Sequence, residues 1–251
     1  MKSTTKNRVI GIVLVGAMSA GLIASGISIL LAQTEQDHEK TEERKTAQTE
    51  KAGKDEKEDQ QASADKESRT AVTGFFKALE NGDVTEAYSY TAEDMNDLFD
   101  LKGRQEEFAE SVKNEPAEIQ DILNDYYNYS VSQQVRDYAI EQSVQSDDKA
   151  AFLVRITGAD FSKQKQLDEQ PYNDQVQEYI ASHMDELNRI VSEQSQEAAD
   201  LFLRTMKMKS YYSDMKKGVE SLPDHEIRIE ITTQKQDDGT VLITGMKKSG
   251  S

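Results

Sequence analysis

The 251-residue chain has no cysteine and no tryptophan. Without thiols it can form no disulfide, no thiolate metal site and no cysteine nucleophile. Histidine is scarce, with His38, His183 and His225 the whole supply. No two of them stand in a His-x-His or His-x-x-x-His pair, so no histidine-built zinc site is expected. Gly-x-Ser-x-Gly, phosphate-loop and dinucleotide-binding patterns are missing as well. A calcium loop needs alternating acids and a distal glutamate, and none occurs. Neither a metal nor a cofactor is expected.

Basic residues are also in short supply, with 30 Lys and Arg against 47 Asp and Glu. The imbalance is uneven. Residues 1–32 carry Lys2, Lys6 and Arg8 and no acid, whereas residues 71–251 hold 19 bases and 35 acids. A body this acidic is repelled by nucleic acid and by anionic lipid headgroups, so no nucleic-acid partner is expected. Many acids are adjacent: Glu93-Asp94, Glu106-Glu107, Asp147-Asp148, Asp168-Glu169, Asp185-Glu186 and Asp237-Asp238. Neighbours on a helix point about 100° apart. Such pairs therefore read as solvated faces or turns.

What the chain does have, first, is one long apolar run. "VIGIVLVGAMSAGLIASGISILLA" extends over 24 residues, Val9 to Ala32, without a charge. About 20 helical residues cross a bilayer, and a helix satisfies its own backbone there. Signal-peptide cores are usually shorter, about 7–15 residues. The favoured expectation is a retained single-pass anchor, with a cleaved signal and secretion as the alternative. The bases precede the run, so the positive-inside rule leaves residues 1–8 in the cytoplasm and the rest outside the cell. Gly16, Ala20, Ala24 and Ser28 recur four apart on one stripe, the pattern of a self-associating anchor. Such residues are also simply common in these helices. Residues 33–68 contain no Val, Ile, Leu, Met, Phe, Tyr or Trp. They have nothing to bury against the entropy of ordering, and read as a disordered charged linker.

From residue 69 the pattern is that of a folded domain. Ser68 can cap a helix with Val72, Phe75, Phe76 and Leu79 on one face, stopped at Asn81-Gly82. A short helix with Val84, Ala87 and Tyr88 follows. A polar helix over Ala92–Leu101, broken at Gly103, and another over 104–113 are predicted next. Asn114-Glu115-Pro116 starts a helix carrying Ile119, Ile122, Leu123, Tyr126 and Tyr127. "VSQQVRDYAIEQSVQ" and "AAFLVRITG" read as a hairpin around Asp147-Asp148. Residues 168–222 form a helical insertion, either one kinked helix or two in series parted by Ser192–Gln196. "EIRIEITTQ" and "TVLITGMK" then form the last hairpin, turning at Asp238-Gly239. The expected class is α+β, with an antiparallel sheet packed on helices.

The first helix ending in Asn-Gly-Asp, the short helix after it and the later strands resemble the nuclear transport factor 2-like (cystatin-like) superfamily. "LVRITGADFSK" followed by "VQEYIASHMDELNRIVSEQSQEAADLFLRTM" is similar to a Gram-positive family of uncharacterised extracytoplasmic domains, secreted, lipid-anchored or membrane-anchored. The resemblance covers about residues 69–247. It implies a cone-like sheet wrapped round a helix and no established activity. Lipoprotein members carry a cysteine after the signal, which this chain lacks. Enzymes of the superfamily place an Asp or His inside the cone. Asp137, with Tyr126, Tyr127, Tyr129 and Tyr138, stands nearest to that role, although such tyrosines more simply pack with their hydroxyls outward. The function expected is a membrane-anchored, non-catalytic binding or scaffolding protein. Its partner would be an extracytoplasmic protein or small ligand. A conjugation or secretion channel subunit is one alternative; a small-molecule isomerase or hydrolase using the cone is another.

Overall fold

The computed structural model describes residues 56–96 and 98–249, with side chains from Lys66 onward. The Val9–Ala32 run with its stripe of Gly16, Ala20, Ala24 and Ser28, and linker residues 33–55, lie outside the described residues. Among those described, no helix is long and apolar enough to cross a membrane.

Helix α1 spans Glu56–Glu80, starting about three turns ahead of the expected Ser68 cap. Residues 56–68 therefore belong to this helix and not to the linker predicted to run to Ser68. Glu, Lys, Gln and Ala are good helix formers, and the apolar face that follows holds the register. Ser68 is itself buried, and Glu67 pairs with Lys235 at 3.3 Å. Val72, Phe75, Phe76 and Leu79 are all at most 1% exposed. The helix stops where Gly82 adopts φ +74°. There the Gly82 and Asp83 amides donate to the carbonyls of Leu79 and Ala78, each at 2.9 Å. Asp83 then caps α2 (Val84–Ser89), its Oδ1 accepting the Glu86 amide at 2.8 Å.

The polar helix predicted over Ala92–Leu101 is a strand. β1 (Thr91–Asn96) runs parallel to the last strand of the chain. Apart from Thr91, nothing in Thr-Ala-Glu-Asp-Met-Asn favours a strand on propensity; pairing with a distant partner overrides it. Asp100 takes φ 48° before α3 (Leu101–Val112), so Gly103 lies inside that helix and does not break it. α4 (Ala117–Gln134) follows Pro116. It absorbs Val131–Gln134, predicted as strand, because Ser130 and Val131 extend the buried stripe of Ile119, Leu123, Tyr126 and Tyr127. β2 (Asp137–Ser146) and β3 (Lys149–Ala159) form the first hairpin, with Asp147 at φ 48° in its turn. A 3-10 turn at Phe161–Lys163 leads into the insertion.

The insertion has three helices: α5 (Gln170–Ser182), α6 (Met184–Glu193) and α7 (Gln196–Glu220). The break at Gln194–Ser195 was expected, and Ser195 Oγ there accepts the Ala198 amide at 3.1 Å. The break at His183 was not, because apolar spacing continues straight through it. β4 (Asp224–Lys235) and β5 (Val241–Lys248) close the chain around Gly239.

The strand order is β1-β5-β4-β3-β2. The β1–β5 pair is parallel and the other three are antiparallel, so the sheet is mixed rather than wholly antiparallel as predicted. One face carries Phe152, Val154, Ile156, Ile229, Ile231, Ile243 and Met246, each at most 2% exposed, and α1 lies against it. Burying each such large side chain contributes about 1.5–3 kcal/mol. The other face is polar. Arg155 and Arg228 each pair with Glu141 and Glu226 at 3.0–3.5 Å, bridging β2, β3 and β4. Exposed pairs of this kind add little stability.

Candidate functional site

Four residues were expected to line a cone. Tyr126, Tyr127, Asp137 and Tyr138 instead point to different neighbours. Tyr126 is 2% exposed; its hydroxyl accepts a hydrogen bond from Gln164 Nε2 at 3.2 Å, and its ring tilts against Tyr212 at 4.9 Å. Tyr127 stacks on Phe108 of α3 at 4.4 Å. Burial pushes its hydroxyl up to about 12, against the opposing effect of Arg104. Tyr138 lies under α1, stacked on Phe76 at 4.9 Å, and its hydroxyl donates to the Thr73 carbonyl at 3.4 Å. Asp137 is exposed at the start of β2. Its charge helps to raise Glu80 above the usual carboxylate range, after burial as the main cause.

The face where a cone cavity was sought is filled by side chains. Phe75, Phe76, Leu79, Phe108 and Tyr127 from the helices and Phe152, Val154, Ile229 and Ile231 from the strands belong to one continuous buried cluster. His183 and His225 sit far apart in the element order, one at the α5–α6 corner and one on β4. Among the described residues no three His, Asp or Glu side chains are grouped to hold a metal ion.

A different concavity lies between α4 and α7. It has a volume of about 470 Å³ and is lined by Glu118, Asp121, Ile122 and Asp125 of α4 and by Lys209, Tyr212, Ser213 and Lys216 of α7. On each helix the four residues stand at i, i+3, i+4 and i+7, a largely polar stripe that joins the buried one at Ile122 and Tyr212. That spacing is visible in the sequence. What the sequence does not show is that the two stripes face each other, so the groove was not anticipated.

Acids form one wall and lysines the other. Lys216 Nζ bonds Asp125 at 2.6 Å and lies 5.0 Å over the Tyr129 ring. Tyr212, only 5% exposed, belongs to a chain of rings: Tyr126–Tyr212 at 4.9 Å, Tyr212–Tyr211 at 5.2 Å and Tyr211–Tyr172 at 5.3 Å. Burial pushes the Tyr212 hydroxyl well above the normal phenol range, and burial with Glu220 pushes Tyr129 up to about 12. This chain fastens the insertion to α4 and sets the groove on rigid helices. Carboxylates, ammonium groups and a neutral phenol suit binding of a ligand with both signs of charge. Comparison with known proteins finds no matching family model, no matching curated protein and no matching solved structure.

Proposed function

We propose that this protein is a membrane-tethered, extracytoplasmic binding or scaffolding module of the nuclear transport factor 2-like class. The tether is the uncharged Val9–Ala32 segment, preceded by Lys2, Lys6 and Arg8. The class is supported by the residue patterns of the 69–247 region and by an order of leading helices, with β1 among them, then two hairpins parted by the helical insertion. One observation carries the binding role. The inner face of the sheet is closed by packed side chains, while the α4–α7 groove offers charged groups of both signs on fixed backbones.

The test uses a photo-crosslinking amino acid placed at Ser213, in the groove, and separately at Asp237, on the distant exposed turn. Irradiated whole cells should give a discrete adduct from position 213 and none from 237. No adduct at 213, or equal adducts at both, would remove the groove from the account.

Topology has a clean assay because the chain lacks cysteine. In intact cells a membrane-impermeant maleimide should label Asp237→Cys and leave Ser3→Cys untouched until the cells are broken. Labelling of both, or of Ser3→Cys alone, contradicts an extracytoplasmic head.

A further inference from the structure

The corner between α5 and α6 carries a run of surface rings. Phe202 of α7 lies 5.7 Å from Tyr179, and Tyr179 lies 4.1 Å from His183 with the two rings nearly parallel. The rings are held in place. The Tyr179 hydroxyl donates to Glu186 Oε2 at 3.0 Å. His183 Nδ1 sits 2.8 Å from Ser182 Oγ and 3.2 Å from the Tyr179 carbonyl oxygen. Beneath them is a small separate core of Val176, Leu187 and Leu203. That core leaves apolar surface uncovered beside the rings: Met184 is 45% and Phe202 38% exposed. These are two of only three large apolar side chains so exposed among the described residues.

The surroundings are mostly acidic. Between Gln170 and Leu203 there are seven carboxylates and a single base, Arg189. Glu178 and Asp185 flank the ring corner in sequence and are exposed. Ring faces carry negative charge and attract cations, and the carboxylates add to that pull. The same field repels anionic lipid and polyanions. We infer that this corner is a docking surface for a basic, apolar segment of a partner protein. Lys or Arg side chains of that segment stack on the Phe202–Tyr179–His183 rings, and its apolar residues cover Met184 and Phe202. The inference rests on the binding-module reading and names a second surface and the chemistry of its occupant.

The experiment uses the full chain in nanodiscs of zwitterionic lipid, with empty nanodiscs as background. The probe is a fluorescein-labelled peptide of arginine and leucine at helical spacing, followed by anisotropy. Phe202→Ser, and separately the Glu178→Lys/Asp185→Lys pair, should each weaken binding by about five- to tenfold. Glu106→Lys/Glu107→Lys on α3, with the same change of charge, should leave it unaltered. Circular dichroism checks each variant, and the exposed Glu178/Asp185 pair decides if Phe202→Ser loses helix. The inference is overturned if the arginine peptide does not bind or if Phe202→Ser folds and binds as the parent does. It is equally overturned if the α3 pair weakens binding as much, or if a glutamate version of the peptide or a chitin oligosaccharide binds equally well. If Ser213 still gives its adduct in cells, such a failure removes this surface alone. Loss of both results removes the binding reading itself.

Discussion

Replacing Gly82 with alanine should lower stability by about 3 kcal/mol or more, a large part of what holds a domain together. Two costs act at once. Gly82 has φ +74°, where a side chain is strained. An added Cβ would also collide with the Asn128 carbonyl of α4, standing 2.7 Å from its carbon and closer still to its oxygen. That neighbour is helical backbone, so it cannot swing aside as a flexible side chain does. Relief requires α4 to move away from the α1–α2 turn, and α4 is one wall of the groove. The urea midpoint should therefore fall steeply, and adduct formation from Ser213 should fall in the molecules that remain folded. Gly158→Ala makes an independent comparison. Its Cβ would meet the Gln134 carbonyl in the same way, but without a positive φ. It should cost less than Gly82→Ala while still being clearly destabilising. An unchanged midpoint for Gly82→Ala would show that the turn does not rest on α4.

Phe76→Ala is the second large effect, at about 3–5 kcal/mol. Phe76 is fully buried, edge-on to Phe75 at 5.3 Å and stacked on Tyr138 at 4.9 Å. Truncation removes the ring and leaves a cavity between α1 and the sheet that the fully buried Phe75 and Phe152 cannot easily collapse into. A melting temperature lower by roughly 10 °C is expected for a domain of this size. Phe202→Ser provides the contrast. It exposes nothing that the fold needs and should melt within a few degrees of the parent. If the two variants melt alike, the assignment of Phe76 to the core and Phe202 to the surface is wrong.

How much of this could be read from residues alone differs by element. Val72, Phe75, Phe76 and Leu79 announced α1 because one face repeats at helical spacing, and Ile227, Ile229 and Ile231 announced β4 by alternation. Both patterns are local records of a single buried face. β1 escaped because Thr91–Asn96 has no such face; its only reason for being a strand is the edge of β5. The end of α4 differs from the reading because Val131 favours a strand on propensity, and burial against the body decided for helix. The break at His183 left no mark because the apolar period runs through it. For the site, the tyrosines were visible but their directions were not. Tyr126 turns to α7, Tyr127 to α3 and Tyr138 to α1. The groove needs two polar stripes to meet, and the surface rings need Phe202 to come beside Tyr179; both follow from packing between distant segments.

The placement of β5 between β1 and β4 has a temporal consequence. β1 leaves the ribosome long before its mate: Asn96 reaches the Met246 carbonyl across 150 positions of chain. Until then β4 shows one unpaired edge, and β1 has nothing to join. Contacts of such range close slowly. A nascent head would accordingly wait, unfinished along that seam, until its last strand arrives.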